Sequence, residues 1–304
     1  MKKLDKDLIT EVSLELGIDK AFVEKDYYVV EILKILSSFS SEEVKVEFSG
    51  GTSLSKGFKL INRFSEDIDF TVQVPENWKR ADLHNLKEGI IKSINERKIL
   101  SVEKDSVTAS DGNKFFSFYV NYPKVFDNGS LRTQVKVEVI VKPIKKSPER
   151  KVISSWIDEY IKENSPAEID CVSAREIAAN KFSALLWRID CKDRSSVNHT
   201  KNDPAMIRHL YDLYFLKNII AKNISSFYQL VCEIFDNDRK RGGNDENMSL
   251  KEFSVSSLKK LENDSVYKDE YDKFVTSMVY EDNDIVSYET ACENFKGLVA
   301  GIGI

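Results

Sequence analysis

Val46-Glu-Phe-Ser-Gly50-Gly-Thr-Ser-Leu-Ser-Lys56-Gly-Phe-Lys-Leu-Ile-Asn-Arg63-Phe-Ser-Glu-Asp67-Ile-Asp69-Phe70 is the stretch on which the reading of the fold turns. At its start Val44, Val46 and Phe48 alternate with Lys45 and Glu47, the period of a half-buried strand. Gly50 and Gly51 follow at once. Glycine admits positive φ and lets a ligand approach the main chain closely. Thr52 is expected to open a helix, over which Leu54, Phe58, Leu60 and Ile61 form only a moderate apolar face. A helix start with free N–H groups and a hydroxyl is a natural anion site. Asp67 and Asp69 then sit two apart on an expected strand running to Val74. Strand period two puts both carboxylates on one face.

Two carboxylates on one face repel each other unless a cation lies between them. A hard divalent cation such as Mg2+ does this and prefers carboxylate oxygen. A phosphate-binding turn beside a metal-binding Asp pair is the minimum apparatus for phosphoryl or nucleotidyl transfer. Taken apart, the two features are a surface Asp-x-Asp and an ordinary Gly-Gly turn. Taken in this order along the chain, they read as one site.

Gly50-Gly51-Thr52-x-Leu54-x-Lys56, followed by Arg63-Phe64-Ser65-Glu66-Asp67-Ile68-Asp69-Phe70, resembles the signature of the AbiEii nucleotidyltransferases. These are toxins of type IV toxin–antitoxin and phage-abortive-infection systems. They belong to the polymerase-β-like nucleotidyltransferase superfamily, with the MenT toxins as relatives. The resemblance runs over about residues 20 to 220. It implies a nucleotide-binding set of Gly50, Gly51, Thr52, Ser53, Lys56, Arg63 and Ser65, with Asp67 and Asp69 as metal ligands. It further implies an NTP substrate, two Mg2+ ions with Mn2+ as a substitute, an RNA acceptor such as a tRNA 3′ end, and a cognate antitoxin.

The strand at Thr133–Val141 has a strict period: Val135, Val137, Val139 and Val141 face one way, Gln134, Lys136, Glu138 and Ile140 the other. By the resemblance, Glu138 takes the place of the superfamily's third metal-binding carboxylate. Its plainer reading is a cross-strand ion pair with a lysine. Two later motifs also resemble the family: Lys181-Phe-Ser-Ala184-Leu185, and Arg208-His-Leu-Tyr-Asp212-Leu. They imply catalytic roles for Lys181, as a point charge on a triphosphate, and for Asp212, which would hold Lys181 or activate a hydroxyl. The plainer reading is an interhelical Lys–Asp pair. One position departs from the family: the residue after Arg208 is usually aspartate and here is His209.

Upstream, residues 4 to 38 read as helical, with Phe22, Val29, Ile32, Leu33 and Leu36 at helical steps and Asp19 as N-cap. Glu24-Lys25-Asp26-Tyr27 resembles a family segment, but the charges are read as a solvated face, with Lys25 the one that could lean toward the site. Downstream come an amphipathic helix over 80–98 and a strand over Phe115–Tyr122. Asp127-Asn-Gly-Ser130 is a hairpin turn signal. Residues 142–151, with five basic residues and two prolines, read as the linker between domains. Ser173-Ala-Arg-Glu176 has capping-box spacing and opens a mainly helical second half. Asp236–Glu246 reads as a loop.

The chain has 304 residues, 41% hydrophobic and 31% charged, enough for two domains with real cores. We place them at 1–150, an α/β (α+β) polymerase-β-like nucleotidyltransferase core with a mixed sheet, and at 151–304, mainly helical. A net charge of −5 means that a nucleic acid must be met by a local basic patch. No apolar run reaches the roughly 18 residues of a membrane span, and the basic start is not followed by a signal-peptide core. Cys171, Cys191, Cys232 and Cys292 are too scattered for zinc or a disulfide framework, so reduced thiols in the cytoplasm are expected. Mg2+-dependent transfer of a nucleoside monophosphate from an NTP to an acceptor hydroxyl is the leading reading. A small-molecule nucleotidyltransferase or kinase-like phosphotransferase on the same fold is the first alternative. A non-catalytic nucleotide- or partner-binding module is the second.

Overall fold

The strand periods of the sequence sort one sheet into a greasy face and a polar one. In the computed structural model, which describes residues 4–163, 166–192, 194–196, 202–242, 248–280 and 282–302, the first compact unit takes in Met1–Lys59 and Phe64–Ser173. Its elements are α1 (Lys6–Leu16), α2 (Lys20–Ser37), β1 (Lys45–Ser49), α3 (Gly50–Thr52), β2 (Asp67–Gln73), α4 (Arg80–Asn95), β3 (Ser101–Val102), β4 (Thr108–Ser110), β5 (Phe115–Asn121), β6 (Val135–Val141), β7 (Glu149–Ile153), α5 (Trp156–Tyr160) and β8 (Ala167–Cys171).

The strands form one eight-stranded mixed sheet in the order β3-β5-β6-β2-β1-β8-β7, with β4 paired to β5. β2 runs antiparallel to β1 and parallel to β6. Phe48, Ile68, Phe70, Val72, Phe116, Phe118, Val135, Val137 and Val139 are buried on one face, in one core with Leu33 and Leu36 of α2 and Ile90 and Ile94 of α4. Burial of that face in apolar contact supplies the main driving force of the unit. The other face carries Glu47, Ser49, Asp67, Asp69, Lys136 and Glu138 by the alternation of the same strands.

In the first unit, four expectations need correction. Residues 4–38 form two helices because Gly17, in the left-handed region at φ 66°, caps the first, and Asp19 accepts from the Ala21 N–H at 2.8 Å to start the second. The helix expected to open at Thr52 begins at Gly50 and ends within two turns, its second half a π-turn over Ser53–Gly57 closed by Phe58 N–H to Ser53 O at 3.0 Å. The turn at Asp127–Ser130 sits inside a longer loop joining β5 to β6 and is not a tight hairpin. The expected linker at 142–151 runs into β7, which pairs with β8 inside the sheet, so the division falls after Ser173 and not at residue 150.

The second unit comprises Leu60–Arg63 and Ala174–Ile304. Among its described residues are α6 (Ala174–Cys191), α7 (Arg208–Phe215), α8 (Lys217–Ala221), α9 (Ile224–Gly242), α10 (Leu250–Asn263), α11 (Ser265–Met278) and α12 (Tyr288–Ala300). Aromatic contacts hold them: Phe182 meets Phe295 at 5.2 Å, Tyr211 meets Phe274 at 5.5 Å and Phe235 meets Phe253 at 5.1 Å between centroids. The loop expected from Asp236 is instead helical to Gly242, and residues 243–247 lie outside the described residues. No helix among the described residues is long and apolar enough to cross a membrane.

All four cysteines are free, and only Cys232 is exposed. Burial pushes the Cys171 thiol up to about 11. At pH 8, a thiol reagent is therefore expected to label Cys232 quickly in the native protein and Cys171 only after unfolding. Peptide mapping of timed alkylation reads this; fast native labelling of Cys171 would contradict its packing on β8.

Candidate active site

Asp67 and Asp69 project from β2 on the polar face, as period two requires. Asp69 is in register with Ser49 of β1 on one side and Glu138 of β6 on the other, and Asp67 with Lys136. Glu138 is also in register with Ser117 of β5. The sheet thus brings all three expected carboxylates onto neighbouring positions of one face.

Gly50 closes the arrangement. It sits at φ 74°, where a side chain is strained, and a Cβ built on it would lie 1.9 Å from Asp69 Oδ2. The diglycine turn therefore packs directly on the Asp69 carboxylate. Thr52 fastens the turn from below: its hydroxyl donates to the main-chain carbonyls of Ser65, at 3.3 Å, and of Asp67. Thr52 and Ser53 are both buried, so the Thr52 hydroxyl serves the fold through these two bonds.

The carboxylates have cationic partners. Arg132 Nη1 bonds Asp67 Oδ1, and Lys136 Nζ bonds Glu138 Oε1. The ion pair expected for Glu138 thus exists, but along its own strand and not across to the next. Among the described residues no three of His, Cys, Asp and Glu gather closely enough to hold a metal ion. Convergence of Asp67, Asp69 and Glu138 on a single point is corrected to alignment: the backbone lines them up, and two of the side chains turn to Arg132 and Lys136. The donors still suit a hard divalent cation, because they are carboxylate oxygens on one face and the glycine leaves room at Asp69. Closing them on an ion requires the two cations to yield.

The solvated face expected at Glu24-Lys25-Asp26 is the clearest miss. The three are 1%, 0% and 3% exposed, and each pins a different segment of the unit. Glu24 accepts from the N–H groups of Val125 and Phe126 at 2.8 and 3.0 Å, fixing the loop before β6. Lys25 Nζ donates to Glu66 Oε2 at 2.7 Å and to the Arg132 carbonyl at 2.8 Å. Asp26 accepts from the Trp156 N–H at 2.8 Å and pairs with Lys56 at 2.7 Å. Lys56 also lies 4.8 Å over the Trp156 ring, so this expected nucleotide-binding cation is engaged in holding α2 and α5. Three consecutive charges cannot be buried without partners, and a run of alternating sign inside an apolar helix was the available signal. Ser65 is half-buried at the entry to β2.

The other expected residues belong to the second unit. Arg63 is fully engaged there. Its Nε and Nη2 bond the two oxygens of Asp212 at 2.7 and 2.8 Å, a bidentate fork, and its guanidinium lies 5.7 Å over the Phe274 ring. Lys181 Nζ bonds Asp212 Oδ2 at 2.7 Å. Burial alone would raise the Asp212 carboxyl, but Arg63 and Lys181 outweigh it and hold it well below the usual carboxylate range. Burial and the Arg63 charge push Lys181 down. One carboxylate, that of Asp212, thus serves both Arg63 and Lys181.

His209 lies nearby, its Nε2 3.4 Å from Arg188 Nη1. Burial first, then Lys181 and Arg188, hold the imidazole well below its usual pKa and therefore neutral. Arg188 takes its carboxylate from Asp203 instead, at 3.2 Å. The negative charge absent at position 209 is thus supplied to Arg188 from the preceding loop.

A family model described as the nucleotidyl transferase AbiEii toxin of type IV toxin–antitoxin systems matches residues 32–299. Among solved structures, the nucleotidyltransferase toxin MenT4 from Mycobacterium tuberculosis H37Rv aligns with a TM-score of 0.55 at 17% identity, covering 99% of each chain. JHP933 from Helicobacter pylori aligns with a TM-score of 0.41 at 16% identity, covering 99% of this chain and 93% of its own. No curated protein matches by sequence.

Proposed function

The chain belongs to the AbiEii family of nucleotidyltransferase toxins, and we propose that it transfers a nucleoside monophosphate from an NTP to a hydroxyl at an RNA 3′ end, tRNA being the leading acceptor. The observation that carries this reading is the contact of Gly50 with the Asp69 carboxylate, in register with Glu138. It sets the diglycine turn beside carboxylates aligned on one face of the sheet, which supports a site for a metal ion and phosphate.

In this reading Asp67, Asp69 and Glu138 hold Mg2+, or Mn2+ in its place. A divalent cation there supplies charge for the phosphates and lowers the pKa of an attacking hydroxyl. Gly50 and Gly51 present main-chain N–H groups to the triphosphate, and Thr52 and Ser53 keep that turn in shape. Lys56 and Ser65 hold the turn and the β2 entry in place from either side. Lys181, in the second unit, is proposed as a point charge for phosphate, held by Asp212. Asp212 and Arg63 position it. No side-chain nucleophile is required: the acceptor hydroxyl attacks the α-phosphorus, and pyrophosphate leaves with the electron pair of the broken P–O bond. Alignment and fixed charge supply the rate. An antitoxin that restrains this activity in the cytoplasm completes the proposal.

Incubation with each NTP, labelled at the α or the γ phosphate, with Mg2+ and total RNA, tests the reading. Label from the α position is expected on RNA of tRNA size, and none from the γ position. Label from γ would mean a kinase-like phosphotransferase. Label from α on a small molecule alone would remove RNA as acceptor.

A further inference from the structure

Arg132 lies in the loop between β5 and β6, and no sequence motif marks it. Both polar atoms of its main chain are fixed: the N–H donates to Glu66 Oε2 at 2.9 Å, and the carbonyl accepts from Lys25 Nζ at 2.8 Å. Its side chain is 40% exposed. Nη1 bonds Asp67 Oδ1, while Nε stands 3.6 Å from Glu66 Oε1. A pinned backbone with a long, half-open side chain lets the guanidinium change partner while the loop stays in place.

Charge decides which pair can open. Lys25 and Arg132 face Glu66 and Asp67, two cations to two carboxylates. Lys25 and Glu66 are buried against each other, and separating them would leave charges without solvent. Arg132 and Asp67 are the more accessible pair. A divalent cation and the guanidinium compete for the same Asp67 carboxylate. Once released, the guanidinium is a planar fork of donors that fits a phosphate bidentately.

We propose that Arg132 is a nucleotide-binding residue that exchanges partners, neutralising Asp67 until a divalent cation takes that carboxylate and then holding the triphosphate. This rests on the metal role assigned to Asp67 above and names the residue that couples metal to nucleotide. Coupling of this kind is reciprocal: each ligand binds better with the other present.

Mn2+ binding, followed by the loss of its free electron-paramagnetic-resonance signal, tests it in wild type, Arg132→Gln, Arg132→Lys and Asp67→Asn. Each is measured alone and with a non-hydrolysable NTP analogue. Arg132→Gln is expected to bind Mn2+ about fivefold more tightly without nucleotide, the scale of one partly exposed ion pair. It is expected to bind the analogue about tenfold more weakly with Mn2+ present, so that the coupling between the two falls. Arg132→Lys keeps the charge without the fork, so it should retain wild-type Mn2+ affinity and lose analogue affinity. The main-chain bonds at position 132 do not need the side chain, and unchanged melting checks that; should Arg132→Gln not fold, Arg132→Lys decides. Mn2+ affinity in Arg132→Gln at or below wild type overturns the proposal, as does unchanged analogue affinity in both variants. Equal Mn2+ binding by wild type and Asp67→Asn overturns the metal assignment as well; Asp67-dependent binding that ignores Arg132 overturns the exchange alone.

Discussion

Asp69→Asn is expected to lower the rate of nucleotidyl transfer by about a thousandfold or more, with the fold intact. Asparagine keeps the shape that packs on Gly50, and it keeps the place between Ser49 and Glu138. What it removes is the negative charge, and with it a ligand oxygen of full strength. At about 1.4 kcal/mol per factor of ten, a thousandfold loss is roughly the several kcal/mol that a positioned cation contributes to such a reaction. Gly50→Ala approaches the same carboxylate from the other side. Its methyl would enter the space of Asp69 Oδ2 and demand a left-handed backbone, so the carboxylate must move and strain of order 1–3 kcal/mol is added. It should therefore lose activity and melt earlier, whereas Asp69→Asn loses activity only. Steady-state transfer from an α-labelled NTP, beside thermal melting of each variant, separates the two. Retention of activity within tenfold of wild type in Asp69→Asn would remove this carboxylate from the chemistry.

The parts of this site that were readable in the sequence are those set by local periodicity and backbone need. Asp67 and Asp69 share a face because any strand places i and i+2 together, and the valines at 135–141 fix the face of Glu138 by the same rule. Gly50 was readable because a positive φ at a tight turn favours glycine. What escaped depends on contacts between distant segments. Arg132 meets Glu66 and Asp67 because the loop before β6 is tied to α2 by Glu24 and Lys25, more than a hundred positions earlier in the chain. The burial of Glu24-Lys25-Asp26 follows from partners in separate segments, none of them on the helix itself. The basic run at 142–151 has the composition of a linker, yet Arg150 finds Glu168 and Asp170 on β8, and Lys151 finds the Phe58 ring at 4.3 Å, so it ends as strand. Charge composition marks a segment as soluble; tertiary pairing decides whether it is in solvent.

Asp212→Ala should be the most destabilising single change in the second unit. Its carboxylate is the shared counter-charge of Arg63 and Lys181, and all three side chains are buried. Removing it takes from two buried cations the carboxylate they share, a loss of about 3–5 kcal/mol by the measure of broken buried pairs. That is a large fraction of the roughly 5–15 kcal/mol that holds a domain together, so the helical signal should melt many degrees earlier than in wild type. The sign with pH follows from the depressed carboxyl. Ionised Asp212 contributes stability that is fully present above its unfolded pKa of about 3.9. That stability is lost as pH falls below it through the still lower folded value, so the gap between wild type and Asp212→Ala should narrow in strong acid. Replacing the fork together, with Arg63→Met and Asp212→Leu, should cost less than Asp212→Ala alone, because no cation then lacks its anion except Lys181, whose amine can release its proton. A melting temperature for Asp212→Ala within a degree or two of wild type would show that the triad is not what secures Leu60–Arg63 to the helices of its unit.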